Sequence, residues 1–273
     1  MKKIGVIGAG AMGAGIAQVF ALHGFETVLM DRTEAALKAA LERISTHTDP
    51  LLWDKVRSFI KTSTDMKDIA DCDVVIEAVF EEAGIKKEVL KKLSAVCRPQ
   101  SIIATNTSSI SIDELAGSVT KPERFIGMHF MNPPKVMKLV EIIKGSMTSQ
   151  DTLKAITDLS VRIEKTPAVV KDSPGFITNR LLFAFLGEAM RLFECGNASK
   201  EDIDTAMKFG MNHPMGPIEL ADFIGLDVCL EIMEYLHTHL KDEKFKPPDI
   251  LSNLVKEGKL GRKTKEGFYR YER

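Results

Sequence analysis

Through the first 172 residues, short apolar runs alternate with longer stretches in which apolar positions recur at helical spacing. The runs at 3–7, 27–30, 73–78, 102–105, 125–129 and 139–142 read as strands, and the stretches at 11–23, 34–44 and 86–96 as helices. Short apolar runs of this kind suit strands covered on both faces. Strand and helix in alternation predict a mostly parallel sheet with right-handed crossovers. After residue 172 the pattern changes. Ser173-Pro174 is a helix-start signal, and from 176 to 193 the apolar residues keep helical spacing. No strand-like run follows. The remainder reads as helix, broken by Gly-Asn at 196–197, His-Pro at 213–214, Gly-Pro at 216–217 and Pro-Pro at 247–248. The expected organisation is an α/β domain over 1–172 followed by an all-helical domain over 173–273.

Residues 4–22 are apolar except for Gln18 and follow the basic start Met1-Lys2-Lys3. That resembles a signal peptide or a membrane span. Glycine, however, occupies positions 5, 8, 10, 13 and 15, and each lowers helix propensity by about 1 kcal/mol relative to alanine. The spacing has a different meaning. Gly8-Ala9-Gly10-Ala11-Met12-Gly13 is a GxGxxG motif between a predicted strand and a predicted helix, and Asp31 ends the next strand 18 positions beyond Gly13. These are the parts of a dinucleotide-binding fingerprint. Gly8 allows the turn, Gly10 the approach of a pyrophosphate, and Gly13 close packing of helix on strand. The amides of Ala11, Met12 and Gly13 open the helix toward the phosphates. The fold class is therefore Rossmann-like α/β with a helical C-terminal domain. The Asp31 carboxylate suits the ribose hydroxyls of NAD and repels a 2′-phosphate, whereas Arg32 beside it would attract one; NAD is the expected cofactor.

His129-Phe130-Met131-Asn132-Pro133 closes a predicted strand, at the end where parallel sheets bind ligands. Glu141 lies 12 residues on, within Leu139-Val140-Glu141-Ile142-Ile143. A carboxylate in such a run is costly unless partnered. A histidine base oriented by that carboxylate satisfies both groups; the plainer alternative for His129 is a core histidine. His237 and His239, two apart on a helix, do not share a face and make a poor metal pair.

The remaining features narrow the class. Lys+Arg is 37 against 38 Asp+Glu, a net charge of -1, which gives no reason to expect nucleic acid or a membrane as partner. Cys72, Cys97, Cys195 and Cys229 contain no CxxC pair and read as reduced thiols of a cytoplasmic protein, with no disulfide framework and no metal site.

The ordered strings IGAGAMGAGIAQVFA (7–21), DVVIEAV (73–79), TNTSSI (105–110), HFMNPP (129–134), LVEII (139–143), DSPGFITNRLL (172–182), HPMGPIELADFIGLD (213–227) and GRKTKEGFY (261–269) closely resemble the L-3-hydroxyacyl-CoA dehydrogenases from end to end. The resemblance implies that Ser108 hydrogen-bonds the substrate oxygen beside the nicotinamide. It implies that His129 takes the C3 hydroxyl proton, that Glu141 is its partner, and that Asn179 positions substrate and histidine. It also implies cofactor contacts for Asp31, Glu81, Lys86, Asn106, Asn132 and Lys263, and a homodimer formed through the helical domain. Between Asp31 and residue 73 the family carries a two-helix hairpin that touches coenzyme A. This chain is several residues short there and is broken at Thr46–Pro50; Ser45 and Lys55 are the nearest matches to the CoA-contacting residues. The expected function is NAD-dependent oxidation of a short 3-hydroxyacyl-CoA, with 3-hydroxybutyryl-CoA foremost, and the reverse reduction. The alternatives are a dehydrogenase of a free 3-hydroxy acid or sugar acid using the same dyad, and an NAD-binding protein without turnover.

Overall fold

The computed structural model describes residues 1–272, in two compact units that divide between Phe176 and Ile177. The first unit is an eight-stranded sheet in the order β3-β2-β1-β4-β5-β6-β7-β8. Its strands are β1 (Lys3–Ile7), β2 (Glu26–Met30), β3 (Ile60–Ser63), β4 (Val74–Glu77), β5 (Ile102–Thr105), β6 (Phe125–Phe130), β7 (Leu139–Lys144) and β8 (Thr166–Lys171). Strands β1 to β6 are parallel; β7 pairs antiparallel with β6, and β8 parallel with β7. Helices α1 (Ala11–Leu22), α2 (Glu34–Thr46), α3 (Pro50–Ser58) and α6 (Gln150–Arg162) cover one face, and α4 (Ala83–Val96) and α5 (Ile112–Ala116) the other. Alternate residues of each strand divide between these layers. Val74 and Ile76 of β4 join the α1 side, and Val75 the α4 side. This two-sided burial is why the central strands are mainly apolar, with Glu77, Thr105 and His129 lying toward their carboxyl ends.

The chain from 4 to 22 is thus strand, turn and helix. Two strands outside the expected set, β3 and β8, are the sheet edges. Their mixed sequences, IKTS and TPAVVK, follow from burial on one side at most, and Pro167 is tolerated because it lies on an edge. The break at Thr46–Pro50 is the turn between α2 and α3. Asp49 caps α3 by accepting from the Leu51 amide, with Pro50 as the first helical residue.

The second unit contains α7 (Thr178–Glu194), α8 (Lys200–Thr205), α9 (Pro217–Ile224), α10 (Leu226–Leu240) and α11 (Asp249–Lys256). Its core joins Phe183, Leu186 and Met190 of α7 to Ile218 and Ala221 of α9, Cys229, Met233 and Leu236 of α10, and Phe268. Buried Asp222 accepts from the Phe268 and Tyr269 amides and the Tyr271 hydroxyl, which anchors the last segment to α9.

Candidate active site

The carboxyl ends of β1, β2, β4, β5 and β6 share one edge of the sheet, and the expected residues of the first unit lie along it. At β1 the chain turns through Gly8 at φ +99°, where a Cβ would lie 2.6 Å from the Ala78 carbonyl oxygen. A Cβ on Gly13 would collide with the Gly8 carbonyl oxygen, so α1 can sit against the turn only without one. Gly10 faces open space: a Cβ there meets nothing within 4 Å. No side chain caps α1 at Gly10, and its first turn holds no acidic residue. Helix amides and their partial positive charge are left facing a cradle that a side chain would fill. That arrangement fits the pyrophosphate of NAD. Asp31, one residue past β2, accepts from the Ala9 amide at 2.7 Å and so ties the end of β2 to the glycine turn. Arg32 is exposed.

Beyond β5, the antiparallel register of β6 and β7 places His129 directly opposite Glu141. Nδ1 of His129 lies 2.8 Å from Oε2 of Glu141. Glu141 is fully buried and His129 is 8% exposed, with Phe176 packed 6.0 Å from its ring. A carboxylate accepts, so Nδ1 carries the proton and Nε2 is left for exchange with a ligand. The twelve-residue spacing seen in the sequence is that of a cross-strand pair. Asn106, just past β5, accepts from the Phe130 amide through Oδ1 at 2.9 Å and so fixes the end of β6 next to the histidine.

The turn after β5 is gathered by a carboxylate. Oε1 of Glu81 accepts from the amides of Ser108 (2.8 Å) and Ser109 (3.1 Å), from both serine hydroxyls, and from the hydroxyl of Thr107 in a short contact. Its Oε2 lies 3.2 Å from the ammonium of Lys86. Burial pushes the Glu81 carboxyl up, but the Lys86 charge and the Thr107 and Ser108 hydrogen bonds outweigh it and hold the group below the ordinary carboxylate range. Lys86 is fully buried and also meets Glu77, itself fully buried, at 2.8 Å. Its ammonium therefore bonds two carboxylates beneath the surface, a placement unlike the direct cofactor contact expected of it.

Asn132 is exposed and joins Pro133 through a cis peptide bond. In the second unit, Asn179 is the second residue of α7, and Lys263 is bound by the carboxylate of Asp227. Ser45 is half-buried near the end of α2, and Lys55 is exposed on α3. Two groups escaped the sequence reading. Glu77 sits in the run DVVIEA, where the reasoning applied to Glu141 holds equally: a carboxylate in a buried strand needs a partner. Lys165, 7% exposed, donates to the carbonyls of Pro134 (2.5 Å) and Met137 (2.8 Å) and clamps the loop between His129 and Glu141. It precedes β8, an edge strand with no fully buried position.

The sequence profile of the 3-hydroxyacyl-CoA dehydrogenase NAD binding domain matches residues 3–173, and that of the 3-hydroxyacyl-CoA dehydrogenase C-terminal domain matches residues 175–271. The chain is 48% identical to a probable 3-hydroxybutyryl-CoA dehydrogenase of Deinococcus radiodurans, across 98% of this chain and 100% of the relative. It is 45% identical to the 3-hydroxybutyryl-CoA dehydrogenase of Clostridioides difficile, across 99% and 100%. The crystal structure of (S)-3-hydroxybutyryl-CoA dehydrogenase from Ralstonia eutropha superposes with a TM-score of 0.97 at 42% identity, covering 100% of both chains. With an NAD-binding domain matched in full beneath a histidine–carboxylate dyad, the chain belongs to the 3-hydroxyacyl-CoA dehydrogenase family, NAD-dependent oxidoreductases acting on a CH–OH group.

Proposed function

We propose that the protein interconverts (S)-3-hydroxybutyryl-CoA and acetoacetyl-CoA, with His129 as the proton-transferring group. The observation that carries this reading is the 2.8 Å bond between His129 and a fully buried Glu141 at the carboxyl edge of the sheet that bears the glycine cradle. The cradle of Gly8, Gly10, Ala11, Met12 and Gly13 holds the pyrophosphate, and Asp31 the adenosine ribose. NAD held there would supply the hydride acceptor for C3 in oxidation and the hydride donor in reduction. In oxidation neutral His129 removes the C3 hydroxyl proton at Nε2, while Glu141 stabilises the imidazolium that forms. In reduction the imidazolium returns that proton to the carbonyl oxygen. Ser108 hydrogen-bonds the same oxygen, and Asn179 is assigned to the substrate.

Relatives named for 3-hydroxybutyryl-CoA at 45–48% identity over their full length support the acyl chain and its carrier. The α2–α3 hairpin, with Ser45 and Lys55, is the segment we assign to the CoA end. Large apolar side chains left exposed on the second unit, Leu181, Phe209, Met211 and Phe223, support a homodimer formed through that unit. Free cysteines, two of them buried, are consistent with the cytoplasm. Initial rates with acetoacetyl-CoA and with free acetoacetate, each with NADH and NADPH, test the reading. The expected result is efficient turnover only with acetoacetyl-CoA and NADH. Equal efficiency with free acetoacetate would replace the CoA ester by a free acid.

A further inference from the structure

We infer that Glu77 is a positioning residue for this reaction, acting through Lys86 and Glu81 on the turn that carries Ser108. The inference rests on the reading of Ser108 as the group that meets the substrate oxygen, and extends it to a side chain that is fully buried and so touches no ligand. Glu77 ends β4. Its Oε1 accepts from the Lys86 ammonium at 2.8 Å and the Val79 amide at 2.7 Å, and its Oε2 from the Thr105 hydroxyl at 2.6 Å.

Three features separate this arrangement from an ordinary buried ion pair. Lys86 does not stop at Glu77: its ammonium is shared with Glu81, whose side chain is 35% exposed. The two oxygens of Glu81 have separate duties, Oε2 to Lys86 and Oε1 to the Thr107–Ser109 turn. A carboxylate is planar, so holding one oxygen sets where the other points. Finally, Glu77 grips the same turn from its base, because Thr105 is the last residue of β5 and the turn follows directly. The lysine stem is flexible, with a compact charge at its tip. Without Glu77 the ammonium is free to follow Glu81, and the set of Oε1, and with it of Ser108, is lost. Fully buried Glu77 and Lys86 admit no water to replace a missing partner.

A double-mutant cycle tests this. Glu77→Gln keeps the shape of the side chain but turns an amide toward a cation, and is expected to lower kcat/KM for acetoacetyl-CoA about tenfold, within the range of coupled neighbours. In a Ser108→Ala background the same change should matter less than about twofold, because the group it positions is gone. An equal loss in both backgrounds, or no loss in the native one, overturns the inference. If Glu77→Gln does not fold, Thr105→Val, which removes one hydrogen bond from the same carboxylate, carries the identical cycle with the identical criterion. Ser108→Ala alone leaving kcat/KM unchanged would instead remove the reading of Ser108, a result distinct from failure of the cycle.

Discussion

His129 is held by the β6–β7 ladder on one side, while the β5–β6 ladder stops at Gly127 and the Asn106 side chain takes over on the other. Its partner stands opposite on the neighbouring strand, and Asn106 pins the next amide of its own strand. The contact with Glu141 is a charge-assisted hydrogen bond, a class worth about 1.5–3 kcal/mol. Glu141→Gln keeps the shape and removes the charge, so kcat should fall by about 10- to 100-fold; kcat within twofold of native would show that the carboxylate is not needed. Asp31 serves two purposes, since the carboxylate proposed for the ribose also accepts from the Ala9 amide. Asp31→Ala should therefore weaken NADH binding and narrow its several-fold preference over NADPH. Fluorescence titration of both cofactors measures this, and tighter NADPH binding by the native protein would contradict the assignment.

At the scale of elements, the β1–α1 junction and the turn after β5 carry the site. Gly13→Ala forces a methyl against the Gly8 carbonyl, a backbone atom that cannot swing aside. Overpacking of this kind costs about 1–3 kcal/mol, so a lower Tm and loss of NADH binding are expected. The Thr107–Ser109 turn has a pH dependence of known sign. Because the folded state holds the Glu81 carboxyl below its ordinary range, its stabilisation is present above about pH 4.3 and is lost as pH falls through the folded value. Thermal melts from neutral to acid should show a steeper acid loss in the native protein than in Glu81→Gln; parallel curves would contradict this. The central elements were legible in the sequence because strands covered on both faces are apolar along most of their length, and so was the dyad, because Glu141 is anomalous in such a strand. The edge strands β3 and β8 were not, since burial on one side at most leaves sequences as mixed as IKTS and TPAVVK. The Lys86–Glu77 pairing was missed for another reason: residues 81–92 are rich in Lys and Glu, as a solvated helix face would be, and only the tertiary fold brings Lys86 against Glu77.

At the scale of the whole molecule, light scattering at micromolar concentration should give twice the 30.2 kDa chain mass, and a monomeric mass would contradict the homodimer proposed from Leu181, Phe209, Met211 and Phe223. In the proposed reaction the proton moves through His129. The most direct measurement is acetoacetyl-CoA-dependent NADH oxidation by native protein and by His129→Gln, alongside NADH binding to each. General acid–base catalysis contributes about 10²–10⁴-fold, so kcat should fall by that factor while the Kd for NADH stays within about twofold of native, as expected for a group that acts on the substrate. A folded His129→Gln protein that binds NADH and turns over at near-native rate would show that another residue carries the proton.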